Sequence, residues 1–492
     1  MKTTISSPGG RKRAHLLCLL LLSLGALFVH GYHPFAEDAE IYLPSVERIL
    51  HPSLFPMGRE FFESHAQLTL FPTIIALSVR LTHLPFSVAL MLWYLGSIFL
   101  LLLACWELAG KCFADAAGRW AGVAMVAALL TLPVAGTALY IMDQYTNPRN
   151  IAAFAGVFAV VRVLEKKYIR AVLWLLLAGV VHPLMAAFVF CYCALLVLMG
   201  RRDIAVGGFA CLFLPIELSF HQGSQAYREA AKFHAFHYLL HWQWYEWLGI
   251  VAPIGLFYWF SQMARRQQSR YLERMCRALI IYDVVFFAAA LVISIPQRFE
   301  TLARLQPLRS LHLLYILLLL FGGGLLGQYV LKRKIWRWVV LFAPLCAGMF
   351  LAQRALFPGS AHVEWPWAQP RNQWVQAFLW IRDNTPTDAR FAIDPLYTKI
   401  PGEDTDGFRC LSERSRLADA VKDSGAVSMF PPLADEWWEQ FQAQSGWRNF
   451  AAPDFERLRS RYGIAWVVVQ GPQGEGLSCP YANREVRICR VD

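Results

Sequence analysis

The chain is a series of long apolar runs separated by short basic clusters, and that alternation restricts it to a helical bundle in lipid. The runs fall at about 14–29, 87–108, 119–140, 150–164, 170–182, 183–199, 204–219, 246–262, 277–295, 310–331 and 338–355. A hydrocarbon core of roughly 30 Å needs about 20 apolar residues in helical form, because backbone polar groups find no water there. Several runs are shorter than that. With 57% hydrophobic and 16% charged residues, a soluble chain would expose much apolar surface. The net charge of +11 does not mark a nucleic-acid binder, since most Lys and Arg sit in clusters between the runs.

Those clusters orient the bundle. Arg11-Lys12-Arg13 precedes the first run, and no small-x-small cleavage site follows it, so the run reads as an uncleaved helix with its N-terminus inside. The stretch 170–199 contains His182-Pro183 and splits there into two helices joined by a tight turn. Counted so, about eleven spans place Lys111 and Arg119, the cluster 162–170, Arg201 and Arg202, the cluster 265–277 and the cluster 332–337 all in the cytoplasm. A single helix over 170–199 would invert every later loop.

The first outer loop then runs from about 32 to 86. It holds a helix over 39–50, with an apolar stripe of Ile41, Val46, Ile49 and Leu50, and an interfacial or re-entrant helix over 66–83 from which Arg80 snorkels. A loop at about 220–245 is rich in His and aromatics, including His221, His234, His237, Trp242 and Trp244, and reads as an interfacial belt or a ligand site. The transmembrane part spans 1–357, Pro358, Pro366 and Pro370 mark a linker over 358–372, and 373–492 reads as a small α/β domain outside the cytoplasm. Its expected elements are helices at 373–383, near 412–422, at 433–444 and 453–461, and strands at 389–394, 464–470 and 484–491. One disulfide is expected there, from Cys410 to Cys479 or Cys489. Cysteines elsewhere, such as Cys18, Cys105, Cys191 and Cys193, read as small apolar side chains.

Several polar residues collect at the outer face. Glu37, Asp38 and Glu40 stand together at the end of the first span. Asp38 suits a general base, and an N-cap for the helix at 39–50 is the competing reading. Asp143 and Arg149 flank Asn147-Pro148, which also fits an ordinary helix cap. His182 occupies the apolar turn. Arg298, Arg304 and Arg309 lie on the outer side against the charge rule, and guanidinium forks suit phosphate.

The layout resembles the GT-C superfamily of membrane glycosyltransferases: one span, a long outer loop with an interfacial helix at 66–83, and an acidic motif, here Asp38-Ala39-Glu40-Ile41-Tyr42. The second acid stands at Glu40, a different order from the usual motif. Asp143 resembles the acid of the second outer loop. The tail phrases "WIRDNTPTDARFAIDP", "FRCLSERS" and "RYGIAWVVVQ" resemble the outer domains of a family of bacterial membrane proteins. The resemblance implies transfer of a sugar from a polyprenyl-phosphate donor to an acceptor at the outer face of a bacterial inner membrane, with the tail periplasmic. It implies Asp38, Glu40 and Asp143 as catalytic groups, or as ligands of Mg²⁺ or Mn²⁺, and Arg149, His182, Arg298, Arg304 and Arg309 as lipid-phosphate ligands. Two rivals stand beside it: a transporter or lipid flippase, for which Asp283 and Glu217 are the visible mid-span charges, and a non-enzymatic polysaccharide assembly protein that uses the tail as its interaction surface.

Overall fold

The computed structural model describes residues 8–200, 223–294, 302–404 and 406–491. The expected span 204–219, the cations Arg201, Arg202 and Arg298, and Glu217 and His221 lie outside the described residues. Among those described, fourteen α-helices precede the tail. They are α1 (Pro8–His30), α2 (Ala39–Leu50), α3 (Glu60–Ala66), α4 (Phe71–Thr82), α5 (Phe86–Cys112), α6 (Ala116–Ala128) and α7 (Pro148–Leu164), then α8 (Tyr168–Val181), α9 (Pro183–Leu198), α10 (Gln225–Lys232), α11 (Trp244–Arg266), α12 (Arg270–Ser294), α13 (Leu311–Leu326) and α14 (Ile335–Leu356).

Six of the described helices are long and apolar enough to cross a membrane: α1, α5, α11, α12, α14 and the continuous segment Leu302–Leu331 that contains α13. The chain is an integral membrane protein built on these, with α4, α8 and α9 as shorter apolar helices. The run at 119–140 ends as a helix at Ala128. Beyond it Pro133 pairs with Tyr140 in an antiparallel bridge, and Ala135 and Ala138 take positive φ, so 129–147 is a folded loop. The segment 66–83 keeps only α4 as its helix, and Arg80 donates to the Ile49 carbonyl at the end of α2.

The break at His182-Pro183 is real. Lys111, at the end of α5, meets Glu165 just before α8 begins, and Arg274 donates to the Leu196 carbonyl near the end of α9. The start of α8 and the end of α9 therefore share one end of the bundle, and the pair is a hairpin. That end also holds the Arg162–Glu107 pair and the 2.8 Å bond from Ser269 to the Cys112 carbonyl. The basic clusters gather there, and the tail docks at the opposite end.

Small residues bring α6 and the α13 segment into close contact. Gly118 and Gly122 on α6 face Gly323, Gly324 and Gly327 on the α13 segment. A Cβ on Gly323 would lie 2.7 Å from the Ala121 carbonyl, and one on Gly327 would lie 2.4 Å from the Ala117 carbonyl. Both helices carry glycines four apart, the spacing that lets backbones touch in lipid.

The tail contains α15 (Gln373–Asn384), β1 (Arg390–Ile393), α16 (Phe408–Ser412), β2 (Ser415–Arg416), α17 (Lys422–Met429), α18 (Ala434–Ala443), α19 (Ala452–Tyr462), β3 (Trp466–Gln470), β4 (Ser478–Ala482) and β5 (Val486–Arg490). The sheet order is β2-β1-β3-β5-β4, with β1 parallel to β2 and β3, and β5 antiparallel to β3 and β4. Alternation along β3 sends Trp466 and Val468 to the core under α15, and Val467 and Val469 to the core under α19. Gly463 ends α19 in the left-handed region at φ +69.

Two expectations for the tail fail. The helix near 412–422 is instead α16, β2 and the start of α17, because Arg414 and Arg416 leave the helical path for fixed partners and Asp419 accepts from the backbone N–H groups of Val421, Lys422 and Asp423. The disulfide joins Cys479 to Cys489, which face each other across β4 and β5. Cys410 stays a buried thiol beside Glu40.

Gly323→Leu should overpack the α6–α13 contact and cost roughly 1–3 kcal/mol. A lower thermal midpoint in detergent checks this. Gly348→Leu, on α14 where a Cβ meets nothing within 4 Å, should leave the midpoint unchanged.

Candidate functional site

A cavity of about 950 Å³ lies between the bundle end and the tail. Its acids and the cations that meet them stand on segments with local reasons for their positions.

The backbone from Tyr32 to Ala36 threads between the bundle and the tail. His33 N donates to the Gln144 carbonyl, Tyr32 N to His362 and Gly407 N to Phe35. Glu37 then takes φ +54, a left-handed conformation uncommon for a side-chain-bearing residue, and turns the chain into α2. Asp38 stands at the N-cap position of α2 but makes no side-chain cap bond. Its carboxylate is held elsewhere: Oδ2 accepts from Arg149 Nη1 at 2.9 Å and Oδ1 from Lys422 Nζ at 3.1 Å. The capping reading of Asp38 is therefore set aside.

Asn147 caps α7 by accepting from Arg149 N at 2.9 Å, with Pro148 at the first helical position. That cap fixes Arg149 in the first turn. Its guanidinium bridges two acids, giving Nη1 to Asp38, and Nη2 at 2.9 Å and Nε at 3.2 Å to Asp143 Oδ2. The two acids diverge electrostatically. Burial works to raise Asp38, but Lys422 and Arg149 outweigh it and hold the carboxyl well below the usual range. Burial raises Asp143, and Arg149 only partly offsets that.

Lys422, at the start of α17, donates to Glu37 Oε2 at 2.5 Å as well as to Asp38. It is 9% exposed. Sequence reading did not single it out: it stands 384 positions from Asp38, in a segment with no resemblance to a catalytic motif. The one available signal was Asp419, an N-cap type of residue three positions earlier.

Glu40 does not belong to the cavity, which corrects its expected catalytic and metal-binding role. Two positions along a helix are turned by about 200°, so Asp38 and Glu40 face opposite ways. Glu40 is 2% exposed and accepts from Arg409 N, Cys410 N and Arg416 Nε. The Arg409 fork binds Asp423 at 2.8 and 2.9 Å, and Arg416 pairs with Asp419. This buried network pins the tail to α2.

The other expected ligands divide. His182, Arg304 and Arg309 line the cavity. Among its lining atoms, His65 Nδ1, His182 Nε2, His237 Nε2 and Arg309 Nε are buried without a hydrogen-bond partner. The described part of the aromatic loop, 223–245, is less a belt than a docking surface. His234 Nε2 lies 3.0 Å from the Val421 carbonyl and from Ser424 Oγ, and Phe233 packs edge-on against Trp437 and Phe441. Trp244 and Tyr245 remain exposed. Asp283 is buried in α12 with Oδ2 unpartnered, away from this cavity.

A divalent cation does not fit the expected trio. Glu40 is turned away, Asp38 and Asp143 already share a guanidinium, and no three His, Cys, Asp or Glu side chains converge as metal ligands among the described residues.

No family model matches the chain, and no curated protein matches it. Among solved structures it is similar to the oligosaccharyltransferase of Archaeoglobus fulgidus in its apo form, with 12% identity, a TM-score of 0.47, and coverage of 93% of this chain and 69% of that one. It is also similar to the archaeal oligosaccharyltransferase AglB from the same organism in complex with an inhibitory peptide and a dolichol-phosphate, with 11% identity, a TM-score of 0.48, and coverage of 93% and 70%.

Two outcomes follow from this geometry. Arg416→Ala strips a partner from Glu40 and Asp419 and should cost roughly 3–5 kcal/mol. Limited proteolysis should then cut within 358–372, and resistance equal to wild type would count against the clamp. Burial lowers His234 to about 4 from an ordinary 6.5. Its neutral form therefore stabilises the fold fully above pH 6.5, and that contribution is lost as pH falls toward 4. The thermal midpoint should drop over this window, and His234→Gln should flatten the drop.

Proposed function

We propose that the chain is a membrane glycosyltransferase that moves a sugar from a polyprenyl-phosphate carrier to an acceptor hydroxyl in the cavity between bundle and tail. The observation that carries this reading is the meeting of Asp38 with Arg149 and Lys422 in a cavity whose wall also holds Arg309 and buried polar nitrogens lacking partners. A polar ligand is what such atoms call for. Among the described lining residues, the cations Arg149, Arg304, Arg309 and Lys422 face the acids Glu37, Asp38 and Asp143, a surplus of one positive charge. A sugar phosphodiester on a lipid carries one negative charge and matches that surplus.

Asp38 is held too acidic by its two cations to be a strong base as it stands. The carrier phosphate, binding to Arg309 and Lys422, draws Lys422 off the carboxylate. Asp38 then accepts the proton of the acceptor hydroxyl. That oxygen attacks the anomeric carbon from the face opposite the phosphate, and the bond from carbon to phosphate oxygen breaks with its electron pair. Lys422, Arg309 and His182 stabilise the departing phosphate, and Arg149 keeps Asp38 and Asp143 in place. Glu40 serves as the anchor of the tail.

The basic end of the bundle supports a cytoplasmic position for that end, and so an extracytoplasmic one for the cavity and tail. A disulfide at Cys479–Cys489 suits an oxidising compartment such as the periplasm outside a bacterial inner membrane.

The test is transfer from radiolabelled polyprenyl-phosphate sugars to a membrane extract by purified protein. Asp38→Asn should lower the rate by about 10²–10⁴ and Lys422→Ala by about 10²–10³, both at wild-type folding. Equal rates in wild type and Asp38→Asn would remove Asp38 from the chemistry. Absence of transfer from every donor would return the choice to a transporter or an assembly protein.

A further inference from the structure

Behind the segment that carries Asp38 lies a second cavity, of about 640 Å³. The backbone from Tyr32 to Asp38 is the partition: Tyr32, Pro34 and Phe35 face the second cavity, and Glu37 and Asp38 face the first. Phe35 and Asp38 are three residues apart, so the two spaces approach within roughly 10 Å. The linker, the tail and Ser87 at the start of α5 supply the remaining walls. The volume falls within the ~300–1,000 Å³ usual for small-ligand sites.

Its lining combines two kinds of surface. Trp365 and Trp367, on the linker, stack with centroids 5.5 Å apart and planes 19° apart. Trp367 remains 74% exposed, a large apolar ring with Trp365 on one face and the other face open. On the tail, Trp380 and Tyr481 pair at 5.1 Å. Beside these rings stand polar groups that an apolar ligand would leave unsatisfied. Asp383 accepts from Arg382 Nε at 2.9 Å and keeps a second carboxylate oxygen, and Arg371 and Asn384 complete the same wall. Ring faces cover the C–H faces of a pyranose or furanose, and carboxylate, amide and guanidinium groups take its hydroxyls. A lipid tail would use the rings and waste the polar groups. A phosphate would do the reverse.

We infer that this second cavity is a saccharide-binding subsite, whose occupant is the sugar chain of the acceptor. Its being the acceptor rests on the transfer reading above, whereas the binding itself does not. An acceptor glycan lying over Trp367 and Tyr481 is brought to the back of the Asp38 segment, and its length and linkage are read there, away from the reacting bond.

The test is saturation-transfer NMR on the full-length protein in nanodiscs, with mannotriose, cellotriose, chitotriose and arabinotriose as probes. At least one trisaccharide should bind. Trp367→Ala, at an exposed position with little bearing on folding, and Tyr481→Ala should each weaken that binding by about tenfold. Asp38→Asn should bind as wild type does. The inference is overturned if none of the four binds, or if both aromatic variants bind unchanged. It is equally overturned if brominated lipids quench wild type more than Trp367→Phe, because Trp367 is then an anchor in the bilayer. Trisaccharide binding in a protein without transferase activity keeps the subsite and removes the transfer reading, and transfer without such binding does the opposite.

Discussion

The buried charge network around Glu40 is the constraint on which the rest of the arrangement depends. One carboxylate from the bundle sits between Arg409 and Arg416 of the tail, and these in turn hold Asp423 and Asp419. Taking such groups out of water costs several kcal/mol per ion unless every charge finds a partner. The network is therefore intolerant of displacement. A tail shifted by an ångström or two would leave at least one charge buried and unpaired. Generic apolar packing would not fix the position so narrowly.

That register reaches the cavity along a short path. Asp423 binds Arg409, and Asp419 caps the backbone of the same turn, so the intervening Lys422 has little freedom. Glu40 is two residues from Asp38 on the other side of the junction. The side chains that meet in the cavity are thus the immediate chain neighbours of those that lock the two parts together. The lock faces one side of α2 and the cavity faces the other. A helix turn separates them without distancing them.

Much of the bundle was legible because the signals are local. Apolar runs, the Pro183 break and the Asn147-Pro148 cap each depend on a few consecutive residues, and the helices at 39–50 and 373–384 are likewise local patterns. What was illegible depends on tertiary pairing. Arg409, Arg414, Arg416, Asp419 and Asp423 look like a solvated surface in the sequence, yet all five are buried. The same misreading turned β2 and the turn that follows it into one helix near 412–422. The acid triplet at 37–40 was conspicuous in the sequence, but which member faced the cavity was a matter of helical angle. Lys422 had no sequence neighbour to announce it. The Cys479–Cys489 pair follows from a hairpin whose first strand, β4, went unrecognised.

The 384 positions between Asp38 and Lys422 also set an order in time. A ribosome adds roughly 5–20 residues per second, so the acid is made about 20–80 seconds before the cation that holds it. Through that interval Glu37, Asp38 and Glu40 lie at the membrane surface without their tail partners. Before Lys422 is made, the lining charges of the bundle balance, with Arg149, Arg304 and Arg309 against Glu37, Asp38 and Asp143. Lys422 then supplies the surplus, so the cavity becomes net positive only once the tail is in place.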